Sequence, residues 1–231
     1  MKNYVLLPIS ALSLIGIIIW QMFCVNEVNY YIVSVSILVL SMLPFFASFE
    51  KKKISTGELT LTATLIAIAV VSRAVFYLIP QVKPIAAVVI VSAVCLGAER
   101  GYIVGAFSAF ISNFIFGQGY WTPFQMVALG MVGLVSGLIF KKLKVNKITL
   151  SIVGFVLTFA LYGVIVDAST IMMAYGTKVT LAGALTIYGA GVPFSAVFGA
   201  ATAVFLFLFG VPFIKKIGRI NTKYNITKAV L

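Results

Sequence analysis

Histidine is absent from the 231 residues, only five side chains are acidic, and cysteine occurs twice. Without histidine no imidazole is there to act as general base or metal ligand. Cys24 and Cys95 lie in or beside apolar runs and form no C-x-x-C, so neither a zinc site nor a disulfide framework is expected. Paired carboxylates and a nucleophile motif are missing, which argues against an enzyme, including an intramembrane one. The phosphate-cradling G-x-x-x-x-G-K-[ST] loop is missing as well, so ATP is not expected to bind this chain. Charged residues make up 10% of the chain, against about 25% in a soluble domain. Such a chain cannot cover itself with a charged surface.

What fills the chain instead is apolar: 62% of residues are hydrophobic, in runs long enough to cross a bilayer. We read an all-α integral membrane protein in the cell membrane. The net charge of +12 would suggest nucleic acid in a soluble protein. Its lysines and arginines sit in short loops and tails beside apolar segments, the pattern of the positive-inside rule, so no nucleic-acid partner is expected.

Eight apolar segments predict about eight transmembrane helices: 4–23, 30–48, 59–79, 85–97, 102–116, 122–140, 148–175 and 185–213. The first is too long for a signal peptide, and no small-x-small site comes after it, so it reads as a retained helix. Three units result: two additional N-terminal helices (1–54), a six-helix core (55–214) and a basic tail (215–231). Ser55 with Glu58 three residues later reads as a helix start, and Thr122-Pro123 as a cap followed by a first-turn proline. With both termini cytoplasmic, the basic residues fall on cytoplasmic segments except for Lys83, Lys178 and Arg73. Segments 85–97 and 102–116 fall short of the ~20 residues of a straight span. A re-entrant pair is the alternative, at the cost of leaving Glu99 and Arg100 at membrane depth.

Polar groups at membrane depth are costly and therefore candidates for function. Arg73 and Asp167 lie inside predicted spans at similar depth from their outer ends, where they could pair. Asn113, Gln118 and Gln125 gather at the outer end of the fifth and sixth segments, with Tyr120 and Trp121 in the turn between them. Tyr188 opens the eighth. This asymmetry points to a pocket open to the outside, lined by Arg73, Asn113, Gln118, Tyr120, Trp121, Gln125, Asp167 and Tyr188. Two plainer readings stand beside it: an ion pair that only orients two helices, and an interfacial aromatic belt for Tyr120 and Trp121. The backbone N–H groups at the Thr122-Pro123 start would face the same pocket. Small residues recur at helical spacing at Ala63 and Ala67, at Gly133 and Gly137, and at Ser195, Gly199 and Ala203, which lets helices approach closely.

On these residues the last six helices resemble the substrate-binding (S) component of energy-coupling factor (ECF) vitamin transporters. Ala63-x-x-x-Ala67 resembles the alanine motif with which that family docks on its coupling subunit. The turn G-Q-G-Y-W-T-P-F-Q-M, 117–126, is similar to the corresponding turn of cobalamin-type members. The resemblance implies an ABC-type importer. In it this chain captures cobalamin or a related corrinoid from outside, Ala63 and Ala67 form the docking face, and a transmembrane coupling subunit and two ABC ATPases are the partners. ATP would be used only by those partners, and no cofactor would be covalently bound. Without histidine, a corrinoid would be held through its amides and its shape. Another vitamin, a modified-base precursor, or a stand-alone proton-coupled transporter working through Asp167 are the alternatives.

Overall fold

The computed structural model describes residues 55–176, 178–224 and 226. The two additional N-terminal helices expected at 1–54 lie outside them. The described residues form six helices: α1 (Thr56–Val75), α2 (Ile85–Leu96), α3 (Ala98–Phe116), α4 (Trp121–Phe140), α5 (Lys147–Tyr175) and α6 (Leu181–Tyr224). Of these, α1, α4, α5 and α6 are long and apolar enough to cross a membrane.

α1 starts where its cap predicts: the Ser55 hydroxyl accepts from the Glu58 N–H at 3.1 Å. The Glu58 carboxylate then receives the Arg100 Nε at 2.8 Å, tying the start of α1 to the start of α3. Arg100 is buried, so this contact gives its charge a partner away from water. α1 ends at Val75, four residues earlier than its apolar run suggests. The chain then turns through 76–84, where Gln81 has φ of 60° between the two prolines, Pro80 and Pro84.

α2 is the axis of the bundle, and every one of its 12 residues is buried. At 1.5 Å per residue it is about 18 Å long, well short of a ~30 Å hydrocarbon core. Its uniformly apolar surface can be this short because protein, not lipid, surrounds it. Val89 and Ile90 meet Val104 of α3, Val132 of α4, Leu150 of α5 and Leu206 of α6 in the main core cluster. α3 begins almost without a loop, because Gly97 takes φ of 91° and lets the chain reverse there. α3 therefore begins at Ala98, four residues earlier than the sequence suggests, and its 19 residues reach about the length of a span.

α3 and α4 pack backbone against backbone. A Cβ added to Gly133 would collide with the Gly101 carbonyl, and one added to Gly105 with the Leu129 carbonyl. The Gly133/Gly137 stripe is thus consumed by packing inside the chain. α5 and α6 run antiparallel, with the Ser151 hydroxyl donating to the Ala203 carbonyl at 3.0 Å. Each contains one π-helical stretch, Leu157–Tyr162 in α5 and Leu206–Gly210 in α6. α6 does not stop near 213. It continues as a helix to Tyr224, and Ile226 returns to the start of α1, where its carbonyl accepts from the Ser55 hydroxyl at 3.2 Å.

Large apolar side chains are exposed along the outside of the bundle, among them Val75, Phe114, Ile152, Val164 and Leu208. On a soluble protein they would form an aggregation-prone patch. On a membrane protein they face lipid.

Candidate functional site

Two walls and a loop enclose a cavity of about 230 Å³. The α1–α2 loop supplies Gln81 and Lys83, and α4 supplies Gln125. α5 presents Tyr162, Gly163, Val166 and Asp167, and α6 presents Gly191, Phe194, Ser195 and Phe198. A recess of about 20 Å³ continues from it past Gln81, Lys83 and Gln125 to Arg73, Ile85 and Leu129.

The α5 and α6 contributions obey helical spacing: i, i+3, i+4 from Gly163, and i, i+3, i+4, i+7 from Gly191. The π-helical stretch ends at Tyr162, directly before this stripe. A π turn inserts an extra residue into a helix and so rotates the helix beyond it; here it sets the face that α5 turns to α6. Glycines keep the two helices close: the Asp167 carboxylate lies where a Gly191 Cβ would be, and the Ser195 hydroxyl lies where a Gly163 Cβ would be. Tyr162 and Phe198 meet edge to face, ring centroids 4.8 Å apart, and form an aromatic floor.

A polar chain runs from α1 through α3 to the cavity wall. Arg73 donates to the Ser112 hydroxyl at 2.5 Å and to the Asn113 carbonyl oxygen at 2.8 Å, with its guanidinium 4.5 Å from the Phe116 ring centroid. The Asn113 amide in turn donates to Gln125 Oε1 at 2.9 Å and to the Thr122 hydroxyl at 3.1 Å. Asn113 is only 1% exposed, so each of these bonds satisfies a group that would otherwise be costly to bury. One lone pair of the Gln125 oxygen is taken by Asn113, and its amide nitrogen is the donor the side chain offers to the cavity.

Charge in the cavity is mixed. Lys83 and Asp167 line it, and Arg73 closes the recess. Arg73 and Asp167, which the sequence allows to pair, form no ion pair; Arg73 is held by Ser112 and Asn113 instead. Lys83 lies in the loop, half-buried. Burial pushes its ammonium below the usual lysine range, and the Arg73 charge adds to the shift.

The eight residues expected to line a pocket separate into groups. Gln125 and Asp167 line the cavity, Arg73 lines its recess, and Asn113 stands behind Gln125. The turn residues do not reach it. Gln118 is exposed and donates to the Phe110 carbonyl at 3.1 Å, while Tyr120 and Trp121 pack edge to face on each other. The Tyr188 hydroxyl approaches the Val164 carbonyl at 3.5 Å, on the α5–α6 seam but outside the cavity lining. Thr122 is not a helix cap. α4 already includes Trp121, the Thr122 N–H donates to the Gly119 carbonyl, and the Thr122 hydroxyl accepts from the Gly119 N–H. The helix start therefore offers fewer free N–H groups than the sequence implies. Ala63 and Ala67 are exposed on one face of α1.

Gln81, Lys83, Tyr162, Phe194, Ser195 and Phe198 line the cavity without having been expected there; the sequence marks Ser195 only as part of a small-residue packing stripe. The stripe spacing of α5 and α6 was a readable signal for the last four. Lys83 reads from the sequence as an ordinary loop charge; only the fold of 76–84 turns it inward.

The profile described as "ECF-type riboflavin transporter, S component" matches residues 53–219. The chain belongs to this family of S components. The match spans all of α1 to α5 and most of α6, the whole of the cavity included. No curated protein and no solved structure matches the chain. As an S component it is a membrane-embedded, multi-pass substrate-binding subunit for a vitamin, and not an enzyme; S components associate with the coupling module of an ECF transporter.

Proposed function

We propose that this S component captures riboflavin, or a closely related flavin, and hands it to an ATP-driven importer. The observation that carries the reading is the cavity: aromatic rings of Tyr162, Phe194 and Phe198 beside the polar ends of Gln81, Lys83, Gln125, Asp167 and Ser195. A flavin is a flat tricyclic ring with a carbonyl-rich edge and a hydroxyl-bearing chain. Its ring suits the aromatic side. Lys83 and the Gln125 amide nitrogen donate to carbonyls, and the Asp167 carboxylate accepts from hydroxyls. The volume of about 230 Å³ is somewhat below the roughly 300 Å³ at which small-molecule sites begin, which favours a flat ligand over a bulky one. The family description, a riboflavin transporter, points the same way.

A corrinoid has less support. Its ring with projecting amide arms is far larger than this cavity. Of the 117–126 turn that suggests it, only Gln125 reaches the lining.

Both termini are assigned to the cytoplasm by the positive-inside rule, which opens the cavity to the outside. The exposed Ala63/Ala67 face of α1 is assigned to the coupling subunit, because a stripe without long side chains lets another helix approach closely. ATP hydrolysis belongs to the partner ATPases.

Thermal unfolding of the purified protein against riboflavin, cobalamin, cobinamide and other vitamins tests the ligand. At 100 times its dissociation constant the ligand stabilises the fold by about 2.7 kcal/mol. A shift with riboflavin is expected. A shift with cobalamin instead would overturn the flavin assignment, and uptake in proteoliposomes driven by pH alone would favour a transporter working through Asp167. Ala67→Trp is expected to block assembly with the coupling subunit while leaving that thermal shift intact.

A further inference from the structure

We propose that the end of the bundle where α6 finishes is a binding surface for anionic phospholipid headgroups. The proposal is independent of the ligand assignment. α6 changes character along its length. Val204, Phe207, Leu208 and Phe209 are exposed, apolar and suited to lipid tails. Six residues beyond Phe209, about 9 Å along the axis, the exposed residues become basic: Lys215 and Lys216, then Arg219 and Lys223. The opposite face of this stretch, with Ile214 and Ile217, is buried against the protein. The basic side chains are therefore held on a fixed, outward-facing ridge rather than on a loose tail.

A second segment reaches the same rim. The Lys147 ammonium, at the start of α5, sits 5.6 Å from the Phe207 ring centroid. That contact brings the α4–α5 connection, with exposed Lys142 and Lys144, beside the α6 ridge. At the start of α1, Glu58 is engaged by Arg100. Seven exposed cations thus line one rim. Headgroup layers add roughly 5–8 Å outside the hydrocarbon on each side, so Lys215 and Lys216 fall at that level. Arg219 and Lys223, one and two turns further on, act across about a Debye length. Lysine and arginine stems lying along an apolar belt with their charges among phosphates are the chemistry of a juxtamembrane basic cluster.

The test reconstitutes the protein in phosphatidylcholine vesicles carrying spin-labelled phosphatidylglycerol or spin-labelled phosphatidylcholine and compares how strongly each label is immobilised. A preference for phosphatidylglycerol of about three- to tenfold is expected, falling with salt. The variant K215Q/K216Q/R219Q/K223Q is expected to lose most of it, while K215R/K216R/K223R keeps it. Thermal unfolding in lipid-free detergent checks that both variants fold. Equal immobilisation of the two labels, or a preference the glutamine variant leaves unchanged, overturns the proposal. So does a glutamine variant that keeps the preference yet fails to assemble with the coupling subunit in phosphatidylcholine alone; the ridge then belongs to an acidic protein partner.

Discussion

The two helix pairs of the bundle are built differently. α3 and α4 touch backbone to backbone through Gly101, Gly105, Gly130 and Gly133, and leave no room between them. α5 and α6 also approach through glycines, Gly163 against Ser195 and Gly191 against Asp167, and the face that carries these residues lines the cavity. Each member of the second pair also carries a π-helical stretch, and α6 carries Pro193 within its helix, without an N–H to bond the preceding turn. One pair is a fixed wall; the other, looser in its backbone hydrogen bonding at these stretches, carries most of the cavity lining. The polar chain from Arg73 through Asn113 to Gln125 ties α1 to the first pair and fixes one cavity side chain from the rigid side.

The largest expected effect breaks the rigid pair. Gly133→Leu drives a side chain into the Gly101 backbone, which cannot yield as a flexible side chain does. Its cost should exceed the roughly 1–3 kcal/mol of ordinary overpacking. Little folded protein is expected in gel filtration. Gly189→Ala in the loose pair meets nothing within 4 Å and should leave the unfolding temperature unchanged or slightly raised.

Next come side chains of the cavity itself. Lys83→Ala removes a charged donor, whose hydrogen bonds are worth about 1.5–3 kcal/mol, and Gln125→Ala a neutral one, worth about 0.5–1.5 kcal/mol. Riboflavin affinity by titration calorimetry should fall by roughly 10- to 100-fold for the first and about 2- to 10-fold for the second. Gln118→Ala, outside the cavity, should leave it unchanged. An equal loss at Gln118 would return the site to the 117–126 turn.

A smaller effect is expected at the seam. Gly191→Ala places a methyl where the Asp167 carboxylate now lies, so the carboxylate must move. Flavin affinity should drop by a few-fold, about 1 kcal/mol, with the fold retained. A loss of folded protein instead would show that α5 and α6 are as tightly coupled as α3 and α4.

The smallest effect is a pH dependence. Lys83 has its folded ammonium below the 10.5 of an unperturbed lysine. The unfolded chain then binds more protons in the window between the two values. The penalty is full below the folded value and is relieved as pH rises toward 10.5, so ligand-free stability should rise through that window. Lys83→Met should flatten the rise, as read from unfolding temperature against pH.

Much of the fold was legible in the sequence. Apolar runs located all six described helices, because a bilayer forces any spanning segment to be long, apolar and internally hydrogen-bonded. The Ser55 cap was readable because it is local. The true end of α1 was not, since hydropathy does not change sharply at Val75, and α6 outlasts its apolar run because the drop at Lys215 marks the end of the apolar segment and not of the helix. The short α2 was ambiguous for a related reason: its composition is the same whether lipid or protein surrounds it. Within the site, Gln125 and Asp167 stood out as polar groups in apolar surroundings. Lys83 did not, because a lysine between two prolines looks like any loop charge until the loop is folded inward.

Composition alone made this chain a membrane protein without histidine chemistry, because hydrophobicity and missing side chains do not depend on how the chain is folded. The family resemblance was likewise carried by short local motifs. Which residues meet in the cavity was decided only by the tertiary structure. Lys83, Gln125, Asp167 and Phe198 come from four parts of the chain, and no local pattern encodes the distance between them. The same holds for the partner of Arg73: depth along a helix allowed Asp167, but the packing of α1 on α3 gave it Ser112 and Asn113.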